Sequence, residues 1–263
     1  MRDPQSSETL PPSRPALIVA HPGHELRVHG WLELAHPTCF VLTQGDGASG
    51  VSRLHSTTSV LTRAGAPIGS VYGVLKDREI YAELRDRRHD VFLRLLDALA
   101  EALAASPFDC IVSDAEERYN PSHDVCRYLA SAAAALAQGG GAPIEGFDFL
   151  LIGPPDACAE ALSTRARWIH LDDAALARKL AASQSYTELA HEVETALAAL
   201  GPHAFRTECL RPWTSPPADD GERPYYEVYG ERQVRAGVYS DVIRLEHLLA
   251  LRETLCRHAG VAA

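Results

Sequence analysis

The sequence predicts an α/β fold, a mostly parallel sheet with helices on both faces, followed by a C-terminal α/irregular extension. Three observations carry this. Short apolar runs such as Ala16-Leu17-Ile18-Val19-Ala20 are bounded by turn formers, as buried parallel strands are. These runs alternate with longer amphipathic stretches at the spacing of strand–helix–strand units. Polar knots, His21-Pro22-Gly23-His24-Glu25 and Arg118 to Asp124, follow directly on apolar runs, where open α/β sheets bind their ligands.

With 263 residues the chain is long enough for a sizeable core. Residues 1–14 are polar and proline-rich and predict a disordered tail without a signal-peptide core. Residues 15–212 read as the α/β domain and 213–263 as an extension packed on it. A formal charge of −10 argues against nucleic acid or an anionic membrane as partner. No run approaches the ~18 apolar residues of a membrane span. Cys39, Cys110, Cys126, Cys158, Cys209 and Cys256 show no CxxC spacing and read as free thiols in a reducing, cytoplasmic setting.

In order, Pro15–Ala20 is the first predicted strand and Leu26–Leu34 a short helix. Thr38–Thr43 is the second strand, running into the glycine-rich loop Gln44–Gly50. That loop lacks the lysine of a phosphate-binding P-loop and reads as a flexible site wall. A helix over Ser52–Arg63 takes Ser52 as N-cap. Gly69–Leu75 is the third strand. Asp77–Ala105 reads as one long helix, with Ile80, Leu84, Val91, Leu93, Leu95, Leu96, Leu99 and Leu103 largely on one face. Phe108–Val112 is a strand, and a helix over His123–Ala137 is broken by Gly139-Gly140-Gly141. Phe147–Ile152 is a strand stopped by Gly153-Pro154-Pro155, and Ile169–Leu171 an edge strand. Helices follow over Ala174–Ala182 and Tyr186–Leu200, then a loop over Pro212–Pro224. The segment Tyr225–Tyr239 mixes tyrosines with charges, and a last helix spans Ser240–His258.

His21, His24 and His123 are the nitrogen ligands that Zn²⁺ takes when one coordination position stays open. The chain has 12 histidines. From spacing alone an HxxH pair describes ordinary histidines as well as a metal site.

ALIVAHPGHE resembles the strand and AHPDDE signature of the LmbE/PIG-L family of zinc-dependent de-N-acetylases. Asn120-Pro121-Ser122-His123 sits where that family carries an HPDH-type motif ending in the third metal ligand. Val41-Leu42-Thr43-Gln44-Gly45-Asp46 resembles its T-x-G-[DE] turn, Lys179–Gln184 its later lysine-to-glutamine stretch, and Phe205–Leu210 its F-x-x-E-x-F end. Arg53 stands at a substrate-contacting arginine, with Ser56 in place of the usual glutamate, and Asp77 near an aspartate after the third strand. The resemblance covers Pro15 to Pro212. It implies a Rossmann-like fold and one catalytic zinc held by His21, His24 and His123. It further implies a deacetylase acting on an N-acyl amino sugar or related metabolite, with metal-bound water as nucleophile.

Three departures bear on the chemistry. The family's base and second ligand, the two aspartates of HPDDE, are Gly23 and His24 here. Three neutral imidazoles leave the ion its full charge, so its water should ionise near ~7. Glycine cannot act as base, which leaves Asp124, Glu25 and Asp46 as candidates. Asp124 is equally a charge at a helix N-terminus. Asn120 replaces a histidine that steadies an oxyanion, and its amide can still donate. Tyr119 is either a carbonyl polariser or a loop aromatic, Arg53 a substrate contact or a solvated helix start, and Asp77 a sugar-hydroxyl acceptor or an N-cap. Two other readings stand beside the deacetylase. One is an esterase or transferase on the same metal, the other a non-catalytic sugar- or partner-binding protein. A homo-oligomer is left open.

Overall fold

The computed structural model describes residues 14–47, 49–106, 108–138, 143–214 and 221–262. The expected tail and the Gly139–Gly141 break lie outside the described residues, apart from Arg14. Every residue of β1 (Pro15–Val19) is buried. Its alternate side chains enter opposite layers, Ala16 and Ile18 one core, Leu17 and Val19 the other. β2 (Thr38–Thr43) divides in the same way.

Seven strands form one sheet in the order β3-β2-β1-β4-β5-β7-β6. β3 is Ile68–Leu75, β4 Cys110–Asp114, β5 Glu145–Phe149, β6 Arg167–His170 and β7 Thr207–Pro212. β1 to β5 run parallel, and β7 is antiparallel to both β5 and β6. The chain winds outward through β2 and β3, then returns to place β4 on the other side of β1. This reversal opens a crevice beyond the carboxyl ends of β1 and β4.

One face of the sheet is covered by α3 (Asp77–Arg85), α4 (Asp90–Ala104), α5 (Pro121–Gln138) and α10 (Leu245–Ala259). The other carries α1 (His29–Ala35), α2 (Leu54–Ala64) and α7 (Asp173–Gln184). The short α6 (Glu160–Ser163), α8 (Ala190–Leu200) and α9 (Tyr225–Arg235) complete the helices. α4 buries Phe92, Leu95, Leu96, Leu99 and Leu103. Each such side chain contributes about 1.5–3 kcal/mol over leaving it exposed. The extension joins this core through Tyr226, Leu248, Leu251 and Leu255.

The single helix expected over Asp77–Ala105 is two. Arg87 has φ 53°, and Asp86 to Asp90 contains no apolar residue, so a break there forfeits no burial. β4 runs two residues past the expected Val112, because the polar Ser113 and Asp114 are fully buried. β5 ends at Phe149 rather than Ile152. Glu117 takes the Leu151 and Ile152 N–H groups, and Arg27 takes the Leu150 carbonyl. Ser52 is not the N-cap of α2. Arg53 holds that position, and the Ser52 hydroxyl accepts the N–H of Leu54, the first residue of the helix. All six cysteines are free thiols. No helix among the described residues is long and apolar enough to cross a membrane.

Candidate functional site

β1 delivers His21 into the crevice, and a tight turn brings back His24. Gly23 in this turn has φ 104°, a conformation that favours glycine. The Glu25 carboxylate accepts the Gly23 N–H at 2.7 Å and pins the turn, which continues as a 3₁₀ turn over His24–Val28. From the far side of the crevice α5 brings His123 in its first turn. Pro121 opens that helix, where a missing N–H costs nothing.

The three imidazoles gather closely. Ring centroids are 5.2 Å apart for His21–His24, 5.8 Å for His21–His123 and 4.7 Å for His24–His123, with planes 70–87° from parallel. Two imidazoles on one tetrahedral ion with metal–nitrogen bonds of about 2.0–2.1 Å place their centroids about 5 Å apart. The cluster therefore suits a divalent metal in residue type and ring spacing. Among the described residues no group of three His, Cys, Asp or Glu is gathered for a metal as it stands.

Two carboxylates orient the rings. His21 Nδ1 lies 3.1 Å from Asp77 Oδ1 and 2.8 Å from the Thr43 hydroxyl. His24 Nδ1 lies 2.8 Å from Asp114 Oδ2, which also accepts the Ala20 N–H at 2.8 Å. Carboxylates at Nδ1 fix the tautomer with its proton there and leave each Nε2 lone pair free. His123 Nδ1 is buried without a hydrogen-bond partner among the described residues.

Burial holds His24 and His123 well below the usual imidazole range, and the neighbouring histidines push the same way. Both are neutral at pH 7, the form that ligates metals. Burial raises Asp114 to about 6 against the opposing pull of His123 and the Ala20 N–H. Burial would raise Asp77 too. Its hydrogen bonds to His21, the Thr43 hydroxyl and the Gly47 N–H win and hold it far below the usual carboxylate value.

The expected bases are engaged elsewhere. Asp124 Oδ1 accepts the Glu117 and Arg118 N–H groups and braces the loop before α5. Burial, with Glu116 nearby, keeps this carboxyl well above its usual range. Glu25 accepts from Gly23 and from the Thr57 hydroxyl, and burial raises it to about 7. Asp46 Oδ1 accepts the Asp77 N–H. The carboxylates that touch the histidines are Asp77 and Asp114. Asp77, expected among the substrate contacts, is bound to His21 and to the Gly47 N–H. Asp114 was missed by sequence reasoning. Its one signal was a charge ending the apolar run Cys110-Ile111-Val112.

Asn120 Oδ1 accepts the Ser122 N–H and the Tyr81 hydroxyl, which leaves its NH₂ free to act as a donor. Arg53 donates to the Gly45 carbonyl at 2.7 Å, and its charge contributes to lowering His24. Tyr119 is 39% exposed and stacked on Tyr225. Leu189, in a 3₁₀ turn before α8, occupies the space a Cβ at Gly23 would need. Lys179 and Glu208 lie outside the cluster. Glu208 accepts the Gly30 and Trp31 N–H groups and the Lys179 ammonium, which fastens the start of α1.

No family model and no curated protein matches the sequence. Solved structures do share its fold, two deacetylases among them. One is the A40926 pseudoaglycone deacetylase Dbv21, with TM-score 0.54 and 18% identity over 79% of this chain and 99% of that one. The other is the zinc-inhibited form of teicoplanin deacetylase Orf2, with TM-score 0.55 and 13% identity over 79% of this chain and 100% of that one. The chain has the LmbE-like α/β fold of these two glycopeptide deacetylases.

Proposed function

We propose that this protein is a metal-dependent hydrolase that removes an acyl group from an amino sugar or related small metabolite. His21, His24 and His123 hold one divalent ion, taken as Zn²⁺. The supporting observation is the three-imidazole cluster at the sheet reversal, two of its rings fixed by carboxylates at Nδ1. The ion supplies Lewis-acid polarisation of an acyl carbonyl and acidifies a water. Asn120, its Oδ1 already occupied, presents its NH₂ to the developing oxyanion. Asp77 and Asp114 keep the two rings in register as charge builds. Arg53, fixed on the Gly45 carbonyl, stands ready for a substrate hydroxyl or anionic group. The fold shared with two deacetylases gives the reaction class its support.

A second reading is favoured by two features. Leu189 fills the place a side chain at Gly23 would take, and the candidate bases are bound to backbone groups. Ester cleavage, with its better leaving group, needs less help from a base, so an acyl-ester hydrolase or transferase fits the same centre.

Metal content of purified wild-type protein and of His24→Ala and His123→Ala decides first. One metal per chain, lost in both variants, upholds the ligand set, whereas retained stoichiometric metal refutes it. Paired N-acetyl and O-acetyl sugars then separate the readings. Zinc is titrated alongside cobalt and nickel, because a three-histidine set suits several first-row ions.

A further inference from the structure

A row of four tyrosines runs from the loop that leads to His123. Tyr119 and Tyr225 lie face to face, ring centroids 4.6 Å apart and planes 3° off parallel. Tyr225 stacks on Tyr229 at 6.0 Å and 26°, and Tyr229 meets Tyr239 edge-on at 6.3 Å. Each of the four stays 39–46% exposed. Single exposed aromatics need no explanation, but a contiguous row does. Core packing does not account for it, since Tyr226, their neighbour on α9, already supplies that helix's core contact.

The row is fixed in place. The Tyr225 N–H donates to the Arg118 carbonyl at 2.8 Å, which ties α9 to the loop. Arg118 itself takes φ 51°, a turn conformation that sets the direction of the next residue. Tyr225 and Tyr229 each have ring neighbours on two sides. Tyr119 meets one ring among the described residues, so the stack ends there. Tyr119 precedes Asn120, and three residues of chain separate it from His123, a span of at most ~14 Å. A two-ring ligand covers that reach.

We propose that Tyr119 is a ring-stacking subsite for the part of the substrate next to its acylated sugar. The ligand chemistry is a flat ring with an apolar face, either a second pyranose or an aryl group. Tyr225 holds the Tyr119 ring parallel before the ligand arrives, so little ordering is left to be done on binding. The inference rests on the proposed function for what the ring is attached to.

The test reads binding, not turnover. Dissociation constants of phenyl β-D-glucoside, methyl β-cellobioside and methyl β-D-glucoside, none of which carries an acyl group, are measured by saturation-transfer NMR. Wild type is compared with Tyr119→Ala, Tyr119→Phe and Tyr225→Ala. Binding of one two-ring probe is expected to weaken about three- to tenfold in Tyr119→Ala and to persist in Tyr119→Phe. Weakening of the phenyl probe identifies an aryl ring, and weakening of the cellobioside a sugar. Equal constants in wild type and Tyr119→Ala for both two-ring probes, or no binding of either to wild type, overturn the proposal. Intact stacking in a protein that hydrolyses no acyl substrate refutes the functional reading and leaves the subsite standing.

Discussion

The Nδ1 of His24 lies 2.8 Å from the Oδ2 of Asp114, a pair 90 residues apart in sequence that joins the turn after β1 to the last residue of β4. The same oxygen accepts the Ala20 N–H, so one buried carboxylate sets both the strand end and the ring. Asp114→Asn removes the charge behind His24 while nearly preserving volume. Metal affinity is expected to fall about 10- to 100-fold, read by competition with a chelator. Unchanged affinity would free His24 from dependence on Asp114.

Gly23→Asp is expected to fail as a repair of the missing base. At φ 104° a side chain is strained, and Leu189 stands in its space. The single variant should lose about 1–3 kcal/mol of stability and gain no amide hydrolysis. Adding Leu189→Ala should recover part of the stability by relieving the clash. Urea titrations of the three proteins check this, and a single variant as stable as wild type would contradict the packing around Gly23.

Metal should stabilise the fold by mass action. An ion present at 100 times its dissociation constant adds about 2.7 kcal/mol. The melting temperature of chelator-treated protein should therefore climb with added zinc, and the climb should vanish in His123→Ala. A melting temperature indifferent to every first-row ion tried would exclude a metal at this cluster.

The buried Lys179–Glu208 pair, 2.7 Å apart, should be costly to halve. Lys179→Met leaves Glu208 charged inside the fold and is expected to cost about 3–5 kcal/mol. The paired change Lys179→Met with Glu208→Gln should cost less, because no unpaired charge remains. Equal losses would mean that the pair's electrostatics do not govern the site.

The parts of the fold that could be read in advance were those with apolar periodicity. Thr38–Thr43 has the expected bounds, and β1 differs by one residue. Where polar residues take structural partners, the pattern is hidden. Asp114 and Ser113 belong to a strand that looks finished at Val112. Thr207–Pro212 pairs antiparallel between two strands, which no local pattern announces. At the site, the two polar knots and the family resemblance singled out His21, His24 and His123, and the structure gathers their rings within 5.8 Å of one another. The partners of those rings were not, since a carboxylate's direction depends on long-range pairing. Nothing local distinguishes Asp124, which faces backbone N–H groups, from Asp77, which faces His21.

The neighbouring of β1 and β4, in which Pro15 pairs with Cys110, has a kinetic consequence. A chain closure of this length is slow, because its entropy is lost before its contacts form. His21 and His24 cannot meet His123 until that closure is made. In a zinc finger the ion drives folding of the chain; an ion held by these three rings would arrive after the sheet. Refolding rates of this protein should therefore be the same with and without zinc, and the ion should act on the rate of unfolding.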